Sequence, residues 1–106
     1  MEKILTLSNH INKIICKYEF EGENSAEFVR KNVLTPELLN LTSEDILIID
    51  FSGMQKIYSA CISELFQPLI RENIFRNFNQ IKIRCKEDEG LAADIMFSII
   101  EAEKSV

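Results

Sequence analysis

Tryptophan is absent, histidine occurs once, and 106 residues carry only three glycines, two prolines and three cysteines. Each scarcity removes a class of function. With His10 as the single histidine, zinc sites and imidazole-based acid–base pairs lack their usual donors. Cys16, Cys61 and Cys85 are odd in number and lack any Cys-x-x-Cys spacing, which argues against a disulfide framework and against a zinc site. All three read as reduced thiols, with Cys16 and Cys85 buried as small hydrophobes. Three glycines far apart cannot form a phosphate-cradling loop. Cations are in the minority, 12 against 17 acidic residues for a net charge of −5, and they are scattered. That balance disfavours nucleic acid and anionic membranes, which need clustered Lys and Arg. No apolar run approaches membrane-spanning length, and Met1-Glu2-Lys3-Ile4 lacks the apolar core of a signal peptide, so a cytoplasmic protein is expected.

What remains is ordinary globular material, 46% hydrophobic and 27% charged, in a length that suits one domain over residues 1–106. Lys3 to Leu7 alternates as a short strand does, and Ser8-Asn9-His10 suggests a turn. Ile14, Cys16, Tyr18 and Phe20 fall on one face of a second strand, ended by Gly22. Asn24 or Ser25 can cap a helix over Ala26 to Leu34, which Thr35-Pro36 is expected to interrupt. Ile46-Leu47-Ile48-Ile49 has no polar face and reads as a central strand buried on both sides. Ile62, Leu65, Phe66 and Leu69 follow helical spacing, with Pro68 expected to kink or split the helix because it lacks the amide that would bond the Glu64 carbonyl. Gln80 to Cys85 forms a last strand. Glu87, Asp88 and Glu89 suit the positive end of a final helix carrying Leu91, Ala92, Ile95, Met96 and Ile99 on one face. The order β-β-α-β-α-β-α predicts an α/β domain with a mixed, mostly parallel sheet that opens on an antiparallel hairpin.

One stretch carries a functional signal. Ile49-Asp50-Phe51-Ser52-Gly53 is followed by Ile57-Tyr58-Ser59-Ala60-Cys61 and then Glu64-Leu65. A buried strand ends on a carboxylate, turns through Ser-Gly and leads by a short loop into a helix start. Open parallel sheets place their binding sites at such strand ends. Asp50 and Ser52 are expected to fix the loop by accepting or sharing local backbone bonds.

This stretch resembles the STAS domain, the fold of bacterial anti-sigma factor antagonists, and more closely the STAS-like domains with an Asp-Phe-Ser-Gly motif. The order of elements agrees over nearly the whole chain, and residues 46–69 agree at the level of the motif. The resemblance implies a non-catalytic regulatory module in bacterial signalling. Its protein partner would be a serine kinase or anti-sigma factor with the histidine-kinase type of ATPase fold, and it would need no cofactor. The implied docking surface is Tyr58, Ser59, Ala60, Cys61 and Glu64, with Asp50, Ser52 and Gly53 shaping the loop. In phosphorylated members of the family the acceptor is the second serine of a pair; here that position is Ala60, with Ser59 before it. Tyr58 stands where the family has Asp or Ser, and Cys61 where it has Gly or Phe. A phosphate switch would therefore fall to Ser59 or be absent.

Two other classes stay open at this stage. Cys61 at a helix start could be an activated thiol in a small enzyme, although His10 is not placed to serve it as a base. Alternatively the chain could be a constitutive assembly subunit, using a sheet edge or a surface carrying Phe75 and Phe78. As a regulatory module it is expected to be a monomer or a weak homodimer.

Overall fold

The structure is a computed structural model, and it describes residues 1–74 and 80–104, without the side chains of residues 102 and 103. Phe75 and Phe78 lie outside the described residues. Strand β1 (Glu2–Thr6) pairs in parallel with β3 (Ile46–Asp50), and β3 pairs in parallel with β5 (Ile81–Arg84). The hydrophobic run at residues 46–50 is thus the middle strand of three, as its composition predicts. A second, two-stranded parallel sheet joins β2 (Lys13–Ile14) to β4 (Lys56–Ile57). Helix α1 (Ala26–Val29), a π-helical segment (Arg30–Leu34) and α2 (Thr35–Leu39) form one continuous helical run, followed later by α3 (Ser59–Arg71) and α4 (Glu89–Lys104). The fold is α/β.

The expected opening hairpin does not form. Leu7 is fully buried, and its carbonyl accepts the amides of both His10 and Ile11, so the chain coils into a short 3₁₀ turn instead of reversing onto β1. The second strand is also far shorter than its alternation implies, ending at Ile14. Beyond it, backbone donors that a ladder would have satisfied are taken by carboxylates. The Tyr18 amide donates to Glu21 Oε1 at 3.0 Å and the Glu19 amide to Glu27 Oε1 at 3.0 Å. Cys16, expected to be buried, is only partly so, with its amide and thiol both donating to the Asn24 carbonyl of the returning loop. Period-two alternation records which side chains face inward; it does not record who accepts the amides.

Both prolines sit inside helices that continue past them. Pro36 withholds an amide from the Asn32 carbonyl, and the helix answers by widening into π geometry, in which the Thr35 amide and hydroxyl both donate to the Arg30 carbonyl, the hydroxyl at 2.7 Å. Pro68 withholds an amide from the Glu64 carbonyl, but α3 runs on to Arg71. The substitute donor comes from another helix: Arg30, only 9% exposed, donates from Nη1 to the Glu64 carbonyl and also pairs with Glu64 Oε1 at 3.0 Å. Ser25 caps the start of α1, its hydroxyl accepting the Phe28 amide at 3.0 Å.

The core lies on one face of the three-stranded sheet. Leu5, Leu47, Ile49 and Ile81 join Val29, Leu34, Leu65, Phe66, Ile95 and Ile99 in a single apolar cluster that draws on every helix. Ile48 is buried but outside that cluster, because it shares the opposite face with Ile4, which is 55% exposed, and with Lys82, its partner on β5. β3 is thus buried on both faces from Leu47 to Asp50, as its composition predicts, and only its first residue departs. Ile46 is half-buried, and neighbouring strands shield Ile48.

The Arg30–Glu64 bond yields a test. Arg30→Met should destabilise the fold strongly with Pro68 present, because the Glu64 carbonyl is then left without a donor. With Pro68→Ala, residue 68 regains an amide, and the cost of Arg30→Met should fall by about 1–3 kcal/mol. Urea unfolding of the four proteins in that cycle measures the coupling, and additive effects would show that the carbonyl is satisfied some other way.

Candidate functional site

The carboxyl ends of β1, β3 and β5 converge, and their loops are bonded to one another. Asp50 ends β3 with its carboxylate 4% exposed; Oδ1 accepts the Ser52 amide at 2.9 Å, and Oδ2 accepts Arg84 Nη2 at 2.9 Å and Nε at 3.2 Å. The Ser52 hydroxyl accepts the Lys86 amide at 2.8 Å, and the Gly53 amide donates to Glu87 Oε1 at 3.1 Å. Gly53 has φ of +82°, a conformation that favours glycine, and a Cβ there would sit 3.2 Å from Ser8 Oγ on the loop after β1. Asp50, Ser52 and Gly53 thus join three loops into one closed corner. Glu87, expected as a solvated helix start, is part of that corner. Asp88 caps α4 by accepting the Leu91 amide at 3.0 Å.

Burial acts to raise the Asp50 carboxyl, but the hydrogen bonds from Ser52 and Arg84 and the Arg84 charge outweigh it and hold the group below its ordinary value. The side chains of this corner are therefore committed to one another: Asp50, Ser52 and Glu87 each accept a loop amide.

The opening of α3 lies instead at the end of the smaller sheet. The Tyr58 amide donates to the Ile14 carbonyl at 3.0 Å, which carries the chain from β4 into the helix. Tyr58 is 45% exposed, and the Lys56 ammonium lies 4.8 Å from its ring centroid. Ser59 and Ala60 follow, both exposed in the first turn of α3. The structure brings these three together on one surface.

Two residues of the expected surface are not on it. Cys61 is 2% exposed and faces the core cluster, because the helical period that exposes Ser59 and Ala60 turns the next position inward. Glu64 is half-buried and engaged by Arg30. Burial pushes the Cys61 thiol up, the reverse of the lowering a helix start can produce, and neighbouring Cys16 and Glu21 push in the same direction. Burial likewise raises the Cys85 thiol. His10 is exposed on the turn after β1. Among the described residues, no group of three or more His, Cys, Asp or Glu side chains is placed to hold a metal ion. Nor is any described helix long and apolar enough to cross a membrane.

Arg84 and Arg30 are the structural partners that sequence reading missed. Arg84 was legible in principle, since it ends β5 where a parallel neighbour of β3 must face Asp50. Arg30 had no local signal, because its partner lies 34 residues away.

Comparison with known proteins finds no matching family model, no matching curated protein and no matching solved structure.

Two measurements follow from this geometry. The Asp50 value lies below its unfolded one, so its contribution is in place above about pH 3.9 and is lost as pH falls through the native value. Asp50→Asn should therefore lower stability near neutral pH by about 1–3 kcal/mol, and the gap from wild type should close as pH falls below the ordinary carboxylate range. Urea unfolding of both proteins across pH measures this difference. For the thiols, iodoacetamide at neutral pH should modify Cys16 before Cys61 and Cys85, which become reactive only as the chain unfolds. A Cys61 that reacts first in the native protein would contradict its burial.

Proposed function

We propose that this chain is a non-catalytic regulatory module that binds a partner protein through Tyr58, Ser59 and Ala60 at the opening of α3. The observation that carries this reading is the exposure of those three residues as one surface, beside a corner of the main sheet that its own side chains close. Tyr58 offers a large amphipathic contact with few torsions to immobilise, and Lys56 over its ring limits them further. The small side chains of Ser59 and Ala60 let a partner approach their own amides, while the Cys61 amide is already bonded to the Tyr58 carbonyl at 2.9 Å. Supporting the partner class is the resemblance of residues 46–69 to the STAS-like domains: a serine kinase or anti-sigma factor with the histidine-kinase type of ATPase fold. With alanine at the family's acceptor position, binding in this reading is constitutive unless Ser59 takes the phosphate.

A Cys61-dependent enzyme is the weaker alternative, since a nucleophile must be reachable and ionised, and burial opposes both.

Ala60→Arg should abolish binding to a cognate ATPase-type partner by steric block and added charge, with a melting temperature close to wild type. Leu65→Ala, which empties a fully buried position, should cost about 2–5 kcal/mol of stability. Calorimetric titration and thermal melts on both variants separate surface from core. Undiminished binding by Ala60→Arg would place the docking surface elsewhere.

A further inference from the structure

The loop from Cys16 to Asn24 presents a second surface that the α3 reading does not use. It is built rather than loose. The Ile15 and Cys16 amides both donate to the Asn24 carbonyl, at 3.1 and 3.3 Å, and the Glu21 amide donates to the Tyr18 carbonyl at 2.9 Å. Glu21 and Glu27 each commit one carboxylate oxygen to a loop amide. On this frame Phe20 stands 87% exposed, stacked parallel to Tyr18 with ring centroids 5.6 Å apart. Phe28, also exposed, faces it across an open depression of about 630 Å³ whose rim carries Glu19, Glu21 and Glu23. Glu19 and Glu23 make no side-chain hydrogen bond or ion pair with the described residues, and Lys17 is the only cation between residues 17 and 24.

An aromatic stack this exposed is costly in water, and the carboxylates around it repel anionic and disfavour purely apolar occupants. Both features suit one side chain. A guanidinium lays its flat face on an aromatic ring and turns its edge donors toward carboxylates, and it sheds water more readily than an ammonium does. From this charge complementarity we infer that the Tyr18–Phe20–Phe28 surface is a docking site for an arginine-bearing segment of a partner protein. The site adjoins the Tyr58–Ser59–Ala60 surface but shares no residue with it, so either reading can fail without the other.

The test uses the full chain and a short oligo-arginine peptide followed by amide NMR shifts, with oligo-lysine and oligo-glutamate as controls. Oligo-arginine should bind saturably, with shifts concentrated between residues 18 and 28, and more weakly as salt rises. Phe20→Ser should weaken it about tenfold or more; because Phe20 is exposed, its spectrum should otherwise stay native. The double change Glu19→Gln with Glu23→Gln should weaken it comparably. Shifts centred elsewhere, equal affinity for oligo-lysine, or a Phe20→Ser protein that binds as well as wild type would each overturn the assignment.

Discussion

The bond from Arg30 to the carbonyl of Glu64 is the interaction on which the helical layer depends. Pro68 makes a hole in the hydrogen bonding of α3, and a buried carbonyl without a donor costs more than most single contacts return. Arg30 fills that hole from a different helix and meets the Glu64 carboxylate with the same guanidinium. It reaches that position from the π-helical segment, the very stretch widened to accommodate Pro36. The two prolines are therefore linked. One shapes the helix that carries the arginine, and the other creates the acceptor the arginine satisfies.

The strand-end corner works on the same rule, with side chains standing in for backbone partners. Asp50, Ser52 and Glu87 each accept a loop amide, and Arg84 neutralises the most buried of the carboxylates. At the smaller sheet, Tyr58 and the Cys16–Asn24 loop emerge side by side on strands that are paired with each other.

Much of this was legible in the residues. The unbroken apolar run at Ile46–Ile49 could only be an interior strand, the Ile62–Leu69 spacing only a half-buried helix, and Ser25 a natural cap. The sequence reading erred where long-range partners decided the outcome. Helices that should have broken at Pro36 and Pro68 did not, because the first widened into π geometry closed by Thr35 on the Arg30 carbonyl, and the second received a donor from Arg30 for its orphaned carbonyl. A strand that should have run to Phe20 stopped at Ile14, where the Ile15 and Cys16 amides turn to the Asn24 carbonyl and, further on, Glu21 and Glu27 take the Tyr18 and Glu19 amides. For the docking surface, spacing brought Tyr58, Ser59 and Ala60 out together, but a motif read as a block carried Cys61 with them, although the helical turn faces it inward.

The all-parallel pairing of the main sheet has a consequence for how the chain reaches this state. Glu2 pairs opposite Ile46, and Leu47 opposite Ile81, so neither ladder can close locally in the way a hairpin does. Each closure must bring together segments more than a helix apart before any sheet hydrogen bond rewards it. During synthesis β1 leaves the ribosome first yet has no partner until β3 follows, so its apolar residues Ile4 and Leu5 wait unpaired. Glu2 and Lys3 put charge on that strand, the kind of residue that discourages an unpaired edge from recruiting another chain.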